Sequence, residues 1–395
     1  MLTELGCKSR CERLWRALPA NLDWALVSDP RHLMYFANYC NDPFVFSSDG
    51  DSTQLLLGRD GSSVLIIDNM GEASAQRAFI GSVVVSMFYD GTHTAPQRKA
   101  LGAEAALRQL ESRSISHLAV EGGAAPGATV AGFLKSRADR SVFDMDCTIR
   151  QLRRCKDPDE VDLLREIMRV AAEGHAAGLA HTLPGMTELD VYVLVSGACA
   201  RAARRQVTVY GDFVSGERAL LGGGGPTQRI IERGDLCILD FSVSLFGYRC
   251  DFANSFVVGA PPSAAQRKLH QACLAALSAG ERRLRPGEPA AALYDAVRTS
   301  FVDDGVASWF PHHAGHGIGL NHLEPPFFVP NSTELLKLGD VVTIEPGLYK
   351  RGVGGMRVER NYLITSNGFE LLSKHYLSLE QSPPTNAGQA WDEMS

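Results

Sequence analysis

Two acids sit in a strongly apolar stretch. Asp240 ends the run Gly234-Asp235-Leu236-Cys237-Ile238-Leu239-Asp240, and Asp251 follows Phe246-Gly247-Tyr248. The pattern Gly-Asp-x-x-x-Ile/Leu-acid returns at Gly339-Asp340-Val341-Val342-Thr343-Ile344-Glu345, and Arg357-Val358-Glu359 closes it with a second acid. An unpaired buried carboxylate costs several kcal/mol or takes up a proton, so acids on buried strands call for cations. If the first hairpin turns between Leu245 and Phe246, Asp240 faces Asp251 directly, with Cβ atoms about 4.5–5.5 Å apart. His316, in Gly315-His316-Gly317-Ile318-Gly319-Leu320, lies between the two acid pairs in the chain. Glycines on both sides keep the backbone compact and let the imidazole reach inward. One imidazole with four carboxylates is a ligand set for two divalent cations. Its oxygen content favours Mn²⁺, with Co²⁺, Fe²⁺ and Zn²⁺ as alternatives. Two such ions about 3.5–4 Å apart would share a hydroxide and polarise a carbonyl.

Each residue alone has an ordinary explanation. An Asp after a Gly-Asp turn is usually structural, and so is a histidine in a glycine-rich loop. The five together, inside an internal repeat, point to a site. His313 reads as a local contact, and His312 as a candidate for a site role. The run Gly222–Gly225 lacks the Lys-Ser/Thr of a phosphate-binding loop and reads as a flexible connection.

The elements that must position these residues follow a repeat. Asp157-Pro158-Asp159-Glu160 is a helix start, with Asp at the cap and Pro at the first position. That helix runs to about His181, Pro184-Gly185 breaks it, and a second helix capped by Thr187 runs to about Arg204. Val207 to Tyr210 then reads as a strand. The plan recurs as a helix over Pro262 to Leu284, a break at Pro286-Gly287, and a helix over Ala290 to Val302. Two related halves are expected to meet at a pseudo-twofold axis with their acid-bearing strands face to face. Upstream, strand signals at Leu22–Ser28, Gln54–Leu57, Ser63–Asp68, Ser82–Phe88 and Leu118–Glu121 alternate with helical spacing at 8–18, 97–112 and 129–136. Residues 1–150 therefore read as one small α/β domain. The tail, Ser382 to Ser395, reads as frayed.

Composition excludes several classes. The 395 residues suffice for two or three domains. A net charge of −6 offers no basic footprint for nucleic acid or anionic membrane. The nine cysteines are odd in number and contain no Cys-x-x-Cys, so neither a disulfide framework nor a structural zinc site is indicated. No run approaches the ~18 apolar residues of a membrane span. The first residues carry no secretory signal, so the expected location is the cytoplasm.

Asp240, Asp251, His316 in Gly-His-Gly-Ile-Gly-Leu, Glu345 in Thr-Ile-Glu-Pro-Gly-Leu-Tyr and Glu359 in Arg-Val-Glu resemble the five metal ligands of the pita-bread metallopeptidases. That family includes Xaa-Pro dipeptidases (prolidases), aminopeptidase P, methionine aminopeptidases and the creatinase-like non-peptidases. The resemblance implies an α+β fold. A pita-bread catalytic domain with an internal pseudo-twofold repeat would span 152–395, after a smaller creatinase/prolidase-type N-terminal α/β domain at 1–150. It implies a dinuclear metal-dependent hydrolase that cleaves the bond before proline by attack of metal-bound hydroxide. Asp240 would hold one metal, Asp251 and Glu359 both, and His316 and Glu345 the other. Glu345 would also be the general base or acid. His312 would act in catalysis and contact substrate, and Arg357 and His322 would bind substrate. The partners implied are a peptide or other small substrate and a second copy of the chain, as a homodimer, with no nucleic acid and no membrane.

Some positions depart from the family pattern. Gly223 stands where prolidase-like enzymes carry a histidine upstream of the first aspartate. Leu323 stands where they carry one before Glu-Pro, with His322 one residue earlier. The family's Asp-x-Thr-Arg-Thr reads Asp251-Phe252-Ala253-Asn254-Ser255. These departures keep two alternatives open: a non-peptidase metalloenzyme acting on a small metabolite, and a metal-free binding protein on the same fold.

Overall fold

Strand and helix signals in the first part of the chain resolve into one mixed sheet. In the computed structural model the described residues are 1–40 and 52–381. The tail expected to fray lies outside them. The chain divides into two compact units, Met1–Arg153 and Arg154–Ser395.

The first unit holds strands β1 (Trp24–Val27), β2 (Gln54–Gly58), β3 (Ser63–Asp68), β4 (Ser82–Ser86), β5 (His117–Val120) and β6 (Ser141–Asp144). Their order is β4-β3-β2-β1-β5-β6. The β2–β3 pair is the antiparallel hairpin expected around Gly58–Gly61, and β1, β5 and β6 run parallel. Helices α1 (Glu4–Ala17), α2 (Pro30–Ala37), α3 (Glu72–Ala75), α4 (Arg98–Ser112), α5 (Gly127–Ser136) and α6 (Asp146–Leu152) connect and cover them. Leu26, Leu56, Ile66, Leu118, Leu110 and Phe133 meet in the core between sheet and helices. Burying such side chains is the main favourable term holding this layer pair together.

The second unit repeats a helix pair. Helices α7 (Pro158–His181) and α8 (Glu188–Ala203) pack together, as do α9 (Ala264–Glu281) and α10 (Ala290–Asp303). Glu160 accepts the Asp157 N–H at 2.9 Å, so the Asp-Pro-Asp-Glu start closes as a capping box. Both Pro-Gly breaks use a left-handed glycine, Gly185 with φ 93° and Gly287 with φ 83°.

Three sheets accompany the helices. Strands β7 (Thr208–Ser215), β8 (Leu236–Leu245), β9 (Tyr248–Arg249) and β10 (Phe252–Val257) form the first, in order β10-β8-β7 with β9 paired to β8. Strands β11 (His316–Gly317), β12 (Glu324–Phe327) and β13 (Val341–Ile344) join β16 (Arg360–Thr365) and β17 (Gly368–Leu371) in the second, in order β12-β11-β13-β16-β17. The hairpin β14 (Gly347–Lys350) and β15 (Gly354–Arg357) is the third. Buried Leu269, Cys273, Leu277, Val297 and Phe301 pack with Val342, Ile344 and Tyr362, so the second helix pair covers the second sheet. No helix among the described residues is long and apolar enough to cross a membrane.

Candidate active site

Asp240 lies midway along β8 and points off a strand whose neighbours are all buried. The expected register is wrong by two residues. Phe246 (φ 53°) and Gly247 (φ 84°) both take the left-handed conformation, so they form the two-residue turn of the hairpin, and Leu245 pairs with Tyr248. The ladder then sets Asp240 opposite Ala253, not Asp251. A shift of two preserves the face, because side chains alternate with period two. Asp251 therefore stays beside Asp240, one step along the same side, with Ser242 Oγ 3.4 Å from its Oδ1. Its backbone is fixed by Asn361, whose Oδ1 accepts the Asp251 N–H at 3.1 Å and whose amide donates to the Asp251 carbonyl.

The second acid pair does face across its ladder. Ile344 pairs with Arg360, and Glu345 and Glu359 occupy the next position outward. The Glu359 N–H donates to the Ala253 carbonyl at 3.1 Å, which ties the second half of the repeat to the first. His316 enters from β11. Gly315 is a close-approach position, since a Cβ there would collide with the Thr343 carbonyl oxygen. His316 Nδ1 donates to the Gly317 carbonyl at 2.9 Å. That bond leaves the Nε2 lone pair aimed at the acids, 3.4 Å from Glu345 Oε1 and 3.7 Å from Asp251 Oδ2.

Electrostatics separates the four acids. Glu359 is 1% exposed, and neither carboxylate oxygen has a hydrogen-bond partner. Burial, then Asp251, Asp240 and Glu345, push its carboxyl well above the usual range. Burial raises Asp240 to about 7 against the pull of Arg357. Burial also pushes Glu345 upward, but the hydrogen bond and charge of His313, then His316, hold it well below the usual range. A cluster of buried acids with one carboxylate unpartnered is the chemistry that a bound cation would balance. Donor atoms of Asp240, Asp251 and Glu359 lie within 4.8 Å of one another, as do those of His313, His316 and Glu345, and of Asp251, His316 and His322. The residues fit a divalent metal.

Other residues arrive differently from expectation. Arg357, expected to bind substrate, is engaged with groups of the chain itself. Its Nε contacts Asp240, Nη2 lies 2.5 Å from Asp212 Oδ2, and Nη1 donates to the Gly222 carbonyl at 2.7 Å and to the Tyr349 hydroxyl at 3.1 Å. His322 turns inward, with Nε2 2.6 Å from Asp251 Oδ2, and that contact raises its pKa. His312 Nε2 accepts from Tyr349 Oη at 3.1 Å, and burial lowers its pKa. His313, read as merely local, donates to Glu345 Oε1 at 2.9 Å. The glycine run is not free of contacts: Gly224 N–H donates to Asp212 Oδ1 at 2.7 Å. Asp212 and Tyr349 were missed by sequence reasoning. Tyr349 lies in the Glu-Pro-Gly-Leu-Tyr string already quoted, and Asp212 needs the register that pairs it with Asp240.

Buried acids and imidazoles converging within a few ångströms are the equipment of a metal-dependent hydrolase. The sequence model of metallopeptidase family M24 matches residues 162–366, and that of the creatinase/prolidase N-terminal domain matches residues 10–155. The chain belongs to the M24 metallopeptidase family, the pita-bread fold preceded by a creatinase-type N-terminal domain. Members of that family use divalent metal ions. An uncharacterized peptidase of Staphylococcus aureus (strain USA300) is 26% identical over 357 residues, covering 90% of this chain and 95% of its own. Among solved structures, an Xaa-Pro dipeptidase from Bacillus anthracis matches with TM-score 0.81 at 24% identity, over 95% of this chain and 99% of that one. The X-Pro aminopeptidase from Thermotoga maritima MSB8 matches with TM-score 0.81 at 21% identity, over 93% and 99%. The prolidase from Pyrococcus furiosus matches with TM-score 0.73 at 24% identity, over 90% and 97%. These likenesses establish the fold.

Proposed function

We propose that the chain is a dinuclear metallohydrolase that cleaves the peptide bond before proline, as an Xaa-Pro dipeptidase or aminopeptidase. The observation that carries the metal half of this reading is Glu359, buried with both oxygens unpartnered among other acids. The substrate half rests on the Xaa-Pro enzymes among its structural neighbours. Asp240, Asp251, His316, Glu345 and Glu359 are the residues that would hold the metal ions. Bound there, the ions would supply Lewis acidity toward the scissile carbonyl and make water a nucleophile at neutral pH.

The remaining steps belong to the chain. Glu345, held ionised by His313, accepts a proton from the attacking water and returns it to the leaving proline nitrogen. His313 keeps the Glu345 carboxylate oriented. His312, fixed by Tyr349, is the proposed substrate contact. Arg357 pairs with both Asp240 and Asp212 and fixes where their carboxylates point. The same reading takes Mn²⁺ as the first metal to test, a homodimer, and the cytoplasm as location.

The test is an assay of Xaa-Pro dipeptides and longer Xaa-Pro peptides with Mn²⁺. Metal-dependent release of the N-terminal residue is expected, falling about 10²–10⁴-fold in Glu345→Ala, the scale of a lost general base. A flat response across all Xaa-Pro substrates would sink it. One observation favours a second reading, a non-peptidase C–N hydrolase. Asp212 fills the space beside Gly223, so no side chain that would bind a peptide end can stand at that position without displacing it. Turnover of small amides with no Xaa-Pro cleavage would select that reading.

A further inference from the structure

Three imidazoles, not one, surround the metal position next to His316. His313 hydrogen bonds to Glu345 on one side. On the other, His322 projects from the loop after Leu320, and its ring stands edge-on to His316, with centroids 5.0 Å apart and an interplanar angle of 87°. The base of that loop is fixed. Glu324 accepts the Asn321 N–H at 2.9 Å and pairs with Lys156 Nζ at 3.2 Å, both side chains almost fully buried. The His322 side chain is 38% exposed, yet its Nε2 lies 2.6 Å from Asp251 Oδ2 rather than in solvent. His316 Nε2, Asp251 Oδ2 and His322 Nε2 thus form a triangle with no side longer than 4.8 Å. Ligands about 2.1 Å from one ion lie roughly 3–4 Å from each other; the 3.7 Å His316–Asp251 separation falls in that range, and the 2.6 Å His322–Asp251 separation needs to open by under about 1 Å to match it.

We infer that His322 is a metal ligand of this chain, giving the His316 position a second nitrogen donor. The inference rests on the dinuclear reading above and deepens it. It removes His322 from the substrate contacts expected from the sequence. It also makes the two metal positions chemically unequal. Asp240, Asp251 and Glu359 offer oxygen alone, which suits Mn²⁺. The position with His316 and His322 offers two imidazoles and carboxylate oxygen, which suits Co²⁺, Zn²⁺ or Fe²⁺. A histidine placed only to polarise Asp251 would donate a proton to it. A histidine ligand must be neutral with its Nε2 lone pair free, so the two roles separate by substitution.

The experiment titrates the metal-stripped full chain with Co²⁺, followed by visible absorption and calorimetry, in the wild type, His322→Ala and His322→Gln. Glutamine keeps an N–H donor for Asp251 but offers no imidazole. Both variants are expected to bind one of the two Co²⁺ equivalents well over about 100-fold more weakly, beyond the roughly 10–100-fold that loss of a supporting contact alone costs. The second equivalent should stay within a few-fold of wild type, and the Co²⁺ absorption bands should shift. In Mn²⁺ titrations the loss should be under about 10-fold, because manganese is less dependent on nitrogen. Thermal melts of the metal-free variants should match wild type, which separates a lost ligand from a lost fold. Wild-type Co²⁺ affinity and spectrum in His322→Gln would overturn the inference in favour of a hydrogen-bonding role, and the same result in His322→Ala would overturn it outright. If the wild type binds no Co²⁺, the inference and the dinuclear reading fall together. Failure to cleave Xaa-Pro bonds bears only on the substrate.

Discussion

Asp212 and Gly223 share one volume. The Asp212 carboxyl is held by Arg357 Nη2 at 2.5 Å and by the Gly224 N–H at 2.7 Å, and a Cβ added to Gly223 would sit 2.8 Å from its Cγ. The carboxyl cannot swing away without leaving both partners. Gly223→Ala is therefore expected to cost about 1–3 kcal/mol, the range of overpacking a filled site. In an Asp212→Ala background the same change should cost little. Denaturant unfolding of the four proteins in a double-mutant cycle measures this coupling, and simple additivity would refute it. By the same argument, a histidine cannot be restored at position 223 unless Asp212 is changed with it. None of this was legible in the sequence. The apolar string there ends at Tyr210, whereas β7 runs on to Ser215, and only the β7–β8 register brings Asp212 opposite Asp240. The ligand acids were legible because a buried acid repeated in two related strings has few structural uses.

At the scale of elements, the loop from His316 to Glu324 carries two imidazoles of the site and hangs on one buried ion pair. Lys156 and Glu324 side chains are 1% and 2% exposed. Lys156→Met would leave the Glu324 carboxylate buried without its cation, at a cost of about 3–5 kcal/mol. Replacing both, as Lys156→Met with Glu324→Leu, should recover much of the stability but leave the Asn321 N–H without its acceptor. The expected pattern is a large loss in the single variant, measured by chemical unfolding, and a smaller loss in the double variant. Equal losses would show that the pair does not set the stability of this segment. The helices were the readable elements, because caps and Pro-Gly breaks are local: Asp157-Pro158 opens α7, and Pro184-Gly185 and Pro286-Gly287 end α7 and precede α10. The strands were less readable. Phe246 is an unusual residue for a left-handed turn, so the hairpin looked centred one residue too early, and the register slipped by two. The hairpin β14–β15 between Glu345 and Glu359, and strand β6 with helix α6, carry weak local signals and take shape through pairing with neighbours.

Across the whole catalytic unit, two sets of buried groups pull stability in opposite directions with pH. Asp240, raised to about 7, and Glu359, raised well above the carboxylate range, hold protons in the metal-free folded state that the unfolded chain has released. Their contribution is present at low pH and is lost as pH rises through 7 and beyond. His375 and His175 stack under the first sheet beside Phe252, their Nε2 atoms near the Ala253 and Phe252 carbonyl oxygens. Burial lowers His375 from 6.5 to about 4 and lowers His175 well below its ordinary value. Their contribution is present above 6.5 and is lost as pH falls toward 4. In the metal-free protein these slopes oppose one another between about pH 4 and 6.5, and above that range the raised acids, with His313 and His322 raised by their carboxylate partners, all lose their contribution as pH rises. Metal binding replaces the protons on the acids, so its stabilisation must grow with pH. Thermal melts with chelator and with saturating Mn²⁺ should therefore show a larger metal-induced rise in Tm at about pH 8 than at about pH 5. His375→Phe should flatten the acid side of the metal-loaded curve, because Phe fills the stack without a group to protonate. A metal-induced rise that stays constant or shrinks with pH would mean that the buried acids, Glu359 first among them, are not where the metal binds.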